Sequence, residues 1–247
     1  MFCRVYDSIK NMRFDIITIF PNIFDSYFNE SMIKRARAKK LVDIRIHDLR
    51  KFSRDKHKKV DDRPYGGGPG MVLKAEPILR AIEWLLKPSI SKSKFLISKQ
   101  SLNSKLKILI VLFSPAGKQF DQKMSRELAG KYNRIIMIAG HYEGIDARLV
   151  PAIRNLKLGI RHLSIGPYVL TGGELPAMVV VDAVSRHIKG VLGKVESLEE
   201  KRHGIGLPVY TRPEIFKWRG KSYRAPKMLL SGNHAGIQNW LSKQARK

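Results

Sequence analysis

Five short apolar runs, each set apart from the next by a polar or helix-patterned stretch, constrain the fold of this chain more than any other feature. Residues 13–19 are β-branched and too short for a helix, so they read as a buried strand that Pro21 ends. Residues 42–46 alternate apolar and polar. Residues 107–113, 134–139 and 158–165 complete the set of strands. Helical patterns lie between them. Phe24, Tyr27, Phe28, Met32 and Ile33 recur at helical spacing over 24–39. Further helices are expected over 77–87, over 121–129 with Asp121 as N-cap, over 145–153, and over 174–188 with Pro176 in the first turn. Strands alternating with helices imply parallel pairing, hence an α/β layered domain.

That pattern does not fill the chain. Residues 49–74 lose all periodicity and end in Gly66-Gly67-Gly68-Pro69-Gly70. Loops of this length are usually functional or disordered. Residues 88–107 are rich in serine and lysine and read as a basic insertion. Residues 1–11 read as an N-terminal extension, because regular sequence begins at Met12. Residues 193–208 read as a linker, and residues 209–247 as a small basic region with a helix from His234 onward.

Charge narrows the range of partners. With 47 Lys and Arg against 21 Asp and Glu the net charge is +26. Residues 31–63 carry thirteen cations and five acids, and residues 87–107 carry six lysines and no acid. Cations interleaved with apolar elements suggest a nucleic-acid surface on a folded body, rather than a basic tail. No apolar run approaches the roughly 18 residues of a membrane span. A single cysteine, Cys3, excludes a disulfide framework and fits a cytoplasmic location. The seven histidines show no metal-ligand spacing, so no metal ligands are expected among them. Neither a Rossmann fingerprint nor a Walker loop is present.

Three glycine-bearing turns remain, each following an apolar run. They are Phe113 to Gly117, Ala139 to Gly144, and Ile165 to Glu174. Ligands of parallel α/β sheets sit outside the carboxyl ends of the strands. Three such turns at strand ends would make one pocket lined by main chain. Taken singly, each is equally readable as an ordinary tight turn.

The same residues resemble a family. Asp61-Asp62-Arg63-Pro64-Tyr65-Gly66-Gly67-Gly68-Pro69-Gly70-Met71 is similar to a signature of the bacterial tRNA (guanine-N1)-methyltransferases. So are the turn 140–146, the run Tyr168-Val169-Leu170-Thr171-Gly172-Gly173-Glu174-Leu175-Pro176-Ala177-Met178, and the segments 190–193, 210–214 and 229–234. The resemblance runs in order from about Met12 to Gln244, apart from the insertion. It implies a SPOUT-type parallel α/β domain with a deep trefoil knot over 12–192, followed by a short, mainly helical, tRNA-binding domain. It implies a homodimer with active sites at the interface. S-adenosyl-L-methionine would be the cofactor, and Mg2+ is allowed for with no residue assigned to hold it. The substrate would be the guanine at position 37 of tRNA, beside the anticodon and preceded by another guanine.

Site residues follow from the resemblance position by position. The cofactor would meet Ser114, Pro115, Gly117, Gly140, Tyr142, Glu143, Ile165, Gly166, Pro167, Tyr168, Val169, Leu170, Gly172, Gly173 and Pro176. Arg186 matches the catalytic arginine. For the base the family has an aspartate in the linker, where an ungapped count from Gly190 reaches Lys201; Glu200 or Glu199 would then serve. Pro167 stands where the family commonly has aspartate. The tRNA would meet Lys58, Lys59, Arg63, Gly67, Gly68, Arg202, Arg212 and Arg219. Two other readings stay open: a related knotted methyltransferase with a different target nucleotide, and a non-catalytic RNA-binding relative.

Overall fold

The computed structural model describes residues 11–87, 107–192 and 207–244. The extension up to residue 10, the insertion over 88–106, and the linker over 193–206 with Glu199, Glu200 and Arg202 lie outside the described residues.

The five apolar runs form one sheet. Strands are numbered in chain order: β1 Met12–Thr18, β2 Val42–Asp48, β3 Asp61–Asp62, β4 Val72–Leu73, β5 Ile108–Gln119, β6 Arg134–Ile138 and β7 Gly159–Ser164. The main sheet has the order β2-β1-β6-β5-β7, and each of its pairings is parallel. Strands β3 and β4 make a separate antiparallel pair. A parallel sheet covered on both faces explains why the central runs are nearly continuously apolar. Phe14, Ile16, Leu109, Val111, Ile135 and Met137 face one core. Ile17, Ile19, Ile110, Leu112, Ile136 and Ile138 face the other. The first core is closed by α1 (Asp25–Phe28), α2 (Ser31–Ala38), α4 (Gln122–Lys131) and α6 (Glu174–Ser185). The second is closed by α3 (Ala75–Leu86) and α5 (Leu149–Asn155).

Three local details differ from the sequence reading. The helix expected over 24–39 is broken into a 3-10 turn, α1 and α2, because Ser31 takes a φ of 48° that no right-handed helix accommodates. Its apolar spacing runs across the break because Phe28 and Ile33 join the same core. The helix expected from residue 145 begins only at Leu149, since Ile145 forms a parallel bridge with Leu73 that holds the backbone extended there. The turn expected at 114–117 is an irregularity within β5, whose pairing to β7 shifts register between Phe113 and Lys118. Asp121 caps α4 as expected, accepting from the Met124 N–H at 2.6 Å.

The described residues fall into two compact units divided between Val191 and Leu192. The second holds two helices, Lys227–Leu230 and His234–Gln244. It also holds an antiparallel hairpin of β8 (Ile215–Trp218) and β9 (Lys221–Arg224), which the periodicity reading did not contain.

One buried charge cluster ties three strands together. Asp15 on β1 is fully buried. It accepts from Arg13 Nη2 and meets His47 Nε2, both at 2.8 Å, and accepts from Arg134 Nε at 2.7 Å. Burial alone would raise its pKa. The hydrogen bonds from His47 and Arg13 and the charge of Arg134 outweigh burial and hold it at about 2. A carboxylate depressed on folding contributes stability that is complete above its ordinary value and is lost as pH falls toward the folded value. Asp15→Ala is expected to cost about 3–5 kcal/mol at neutral pH, because it strands Arg134. It is also expected to flatten the fall in stability between about pH 4 and pH 2. Urea unfolding across that range checks both.

Candidate active site

All five parallel strands deliver their carboxyl ends to the same edge, and a cleft of about 540 Å³ lies there. Its walls are the segments 112–115 within β5, 140–147 after β6, 162–166 at the end of β7, and 168–173 with Pro176 at the start of α6. The three glycine-bearing turns singled out in the sequence thus converge. Of the expected cofactor residues, Ser114, Pro115, Gly140, Tyr142, Glu143, Ile165, Gly166, Tyr168, Val169, Leu170, Gly172, Gly173 and Pro176 line the cleft. Gly117 and Pro167 do not. Gly117 lies behind the wall, where a Cβ would stand 2.7 Å from the main chain of His162 and Leu163.

Main chain binds the walls to each other. The Gly173 N–H donates to the Gly140 carbonyl at 2.9 Å, and His141 and Gly172 form an antiparallel bridge. A Cβ on Gly173 would stand 2.6 Å from the Ala139 Cα, so this crossing admits no side chain. The third wall folds on itself. Ser164 Oγ donates to the Gly166 carbonyl at 2.8 Å, and the Tyr168 hydroxyl donates to the Ile165 carbonyl at 3.2 Å. Tyr142 stands at a φ of 61°, a conformation that costs energy for a residue with a side chain and recurs at functional sites. Partial burial, with the charge and hydrogen bonding of Asp61, pushes the Tyr142 hydroxyl pKa up.

Beneath the cleft runs a polar relay that the sequence reading did not assign. Glu174, almost fully buried, accepts from Thr18 Oγ1 at 2.6 Å and meets His141 Nε2 at 2.7 Å. The positive end of α6 supports a carboxylate at this place. A glutamate in the first turn of a helix was visible in the sequence, but its burial against β1 was not. His141→Phe is expected to lower stability by about 2 kcal/mol, because the buried carboxylate loses a partner. It is also expected to weaken ligand binding in the cleft by loosening the Gly140–Gly173 crossing. Thermal unfolding and equilibrium dialysis measure the two effects, and an unchanged affinity would remove His141 from the site.

The glycine loop 66–70 sits beside the cleft. The Glu143 N–H donates to the Met71 carbonyl and the Leu73 N–H to the Gly144 carbonyl, both at 3.0 Å. A Cβ on Gly70 would meet the Glu143 side chain. Gly67 and Gly68 have φ of 80° and 109° and open space around them. Lys58, Lys59 and Arg63 are exposed. Their loop is ordered by Asp55, which accepts from the His57 and Lys59 N–H groups at 2.8 and 3.1 Å. Those bonds lower the Asp55 pKa. Arg212 and Arg219 are exposed on the second unit.

Arg186 is not part of this cleft. It caps the far end of α6, whose first residue, Glu174, is at the cleft. Twelve helical residues span about 18 Å along the axis, more than an arginine side chain reaches. Among the described residues no group of three or more His, Cys, Asp or Glu could hold a metal ion. No described helix is long and apolar enough to cross a membrane.

A parallel α/β domain with a cleft of this size at the carboxyl ends of its strands has the arrangement in which ligands of open α/β sheets bind. The particular family is given by comparison. The model of the tRNA (guanine-1)-methyltransferase family TrmD matches residues 12–247, and the chain belongs to that family. Relatives called tRNA (guanine-N(1)-)-methyltransferase are similar along nearly the whole chain. That of Dehalococcoides mccartyi is 46% identical over 237 residues, covering 95% of this chain and 86% of the relative. That of Moorella thermoacetica is 44% identical, with 95% and 85% covered. That of Thermomicrobium roseum is 47% identical over 232 residues, with 93% and 77% covered.

Proposed function

We propose that this methyltransferase acts on tRNA, methylating N1 of guanine 37 where another guanine precedes it, with S-adenosyl-L-methionine as methyl donor. The observation that carries the reading is the convergence of the three turns on one cleft in a chain of this family. The cleft suits the donor. Its volume is that of a small-molecule site, and the crossing at Gly173 brings bare main chain to its wall. Glu143 would pair with the positive amino group of the ligand. When bound, the donor supplies a methyl group activated by a sulfonium.

The chain's own residues have two tasks at the guanine. Its N1 carries a proton at neutral pH, so a carboxylate must remove it; Glu200 is the first candidate and Glu199 the second. Negative charge then spreads to the carbonyl oxygen, where Arg186 would stabilise it. The distance of Arg186 from the cleft of its own chain supports a homodimer in which each arginine serves the partner's cleft. Exposed Ile23, Tyr27, Leu175 and Val179 supply apolar surface for such an interface. A deep C-terminal trefoil knot within the domain over 12–192 belongs to the same reading, through the family to which the chain belongs. The cations Lys58, Lys59, Arg63, Arg202, Arg212 and Arg219 would hold phosphates of the tRNA, with residues 209–247 as its short C-terminal grip. A tRNA substrate and the single Cys3 support a cytoplasmic location.

The test is transfer of labelled methyl to tRNA transcripts differing only at positions 36 and 37. Label incorporated only when both are guanine supports the reading. Incorporation indifferent to them overturns it.

A further inference from the structure

The β8–β9 hairpin presents large aromatic side chains that pack into no core. Phe216, Trp218 and Tyr223 are 54%, 63% and 45% exposed. Register puts Phe216 opposite Tyr223 and Trp218 opposite Lys221, so the four share one face of the ribbon. The Phe216 and Tyr223 rings lie 13° from parallel with centroids 5.0 Å apart, an offset-stacked pair that stays about half exposed. The connecting turn is two residues long, with φ of 49° at Arg219 and 75° at Gly220, the tight form that suits the twist of a hairpin. Glycine or asparagine is usual at the first of these positions. Arginine here carries its guanidinium carbon to 6.0 Å from the Trp218 ring centroid.

The charge of the ribbon identifies what would cover it. Lys217, Arg219, Lys221 and Arg224 all lie within residues 215–224, and that stretch contains no acid. The adjacent Glu214 lies 3.6 Å from Arg224. An apolar protein partner would bury Lys217, Arg219 and Lys221 against a ribbon that has no acid of its own within residues 215–224. Unpaired nucleic-acid bases satisfy both features, because each base has a π-face for the rings and each phosphate neutralises a cation.

We propose that the Phe216–Trp218–Tyr223 face is a stacking platform for unpaired bases of the substrate tRNA, with Lys221 and Arg219 on the adjoining phosphates. This rests on the tRNA reading above and extends it from charge attraction to base contact. A guanine beside the anticodon lies in a loop, where unstacked bases are available to such a surface.

The test uses the full chain and tRNA transcript in filter binding at several salt concentrations. Trp218→Leu keeps apolar bulk and removes the π-face. It is expected to weaken tRNA binding roughly ten-fold with an unchanged salt slope, while Trp218→Phe restores most of the affinity. Lys221→Gln is expected to lower the salt slope by about one. Against a blunt-ended RNA duplex, wild type and Trp218→Leu are expected to bind alike. Two results overturn the proposal: tRNA affinity of Trp218→Leu within about two-fold of wild type, or a change in its sedimenting mass that marks the face as a contact between two copies. Methyl transfer by the wild-type enzyme is measured separately. Failure of that transfer sinks the guanine reading alone, because the affinity ratio still reports on the platform.

Discussion

Replacing Arg186 with alanine is expected to lower kcat for tRNA methylation by about 100- to 1,000-fold while cofactor affinity stays within about two-fold. The expectation follows from position. Arg186 ends a helix that begins at the cleft and caps its far end. It is therefore not part of the ligand wall of its own chain. On the proposed function its contribution would fall on the charge that develops on the guanine, a transition-state interaction whose removal lowers kcat. Arg186→Lys is expected to recover part of the rate, since it keeps the charge and loses the planar fork. Mixed dimers examine the geometry. Arg186→Ala paired with a subunit unable to bind cofactor should regain activity if each arginine serves its partner. Statistical mixing of two inactive variants then gives about a quarter of wild-type activity. A mixture as inactive as its components would place Arg186 on its own cleft and contradict the dimeric site.

Gly173→Ala supplies that second subunit, and it carries the other large effect. The added Cβ would stand 2.6 Å from the Ala139 Cα and 2.9 Å from the Gly140 nitrogen. Both are main-chain atoms, which cannot turn aside as a flexible side chain can. The two walls must separate, at a cost of about 1–3 kcal/mol in stability. Opening the walls by a fraction of an ångström is expected to cost about 100-fold in cofactor affinity, because on the proposed function groups on both walls would hold the ligand. Gly67→Ala is the control. It adds a methyl group in open space and incurs only the strain of a φ of 80°. Its melting temperature should fall by less, and cofactor binding should persist. Isothermal titration with S-adenosyl-L-methionine separates the two variants. Equal affinities would mean that the Gly140–Gly173 crossing is not part of the ligand site.

Much of the first unit was legible because a parallel sheet writes itself into sequence. Runs such as Ile135, Ile136 and Met137 are apolar without a break because both faces of β6 are buried. The site was legible for a related reason. Gly173 stands where main chain crowds main chain, and Gly140 and Gly172 where the side chains of Ile145, His141 and Glu174 fill the space a Cβ would take. What escaped depended on contacts distant in sequence. Asp15 and Arg134 are 119 positions apart and Thr18 and Glu174 are 156 apart. No local pattern announces either pair. Ser31 broke a helix that the apolar spacing carried through, since periodicity records which core a residue faces and not the backbone dihedral between turns. The hairpin escaped because its apolar residues face outward, so its alternation has no buried partner to mark it.

The proposed reaction alters one atom of one nucleotide. Incubation with labelled S-adenosyl-L-methionine and a tRNA carrying guanine at 36 and 37, followed by nucleoside digestion and primer extension, tests it most directly. A methyl group on N1 blocks the pairing edge of the base, so reverse transcription should stop next to position 37 and the label should elute as 1-methylguanosine. Label in another nucleoside, or read-through at 37 with label incorporated, would contradict the assignment.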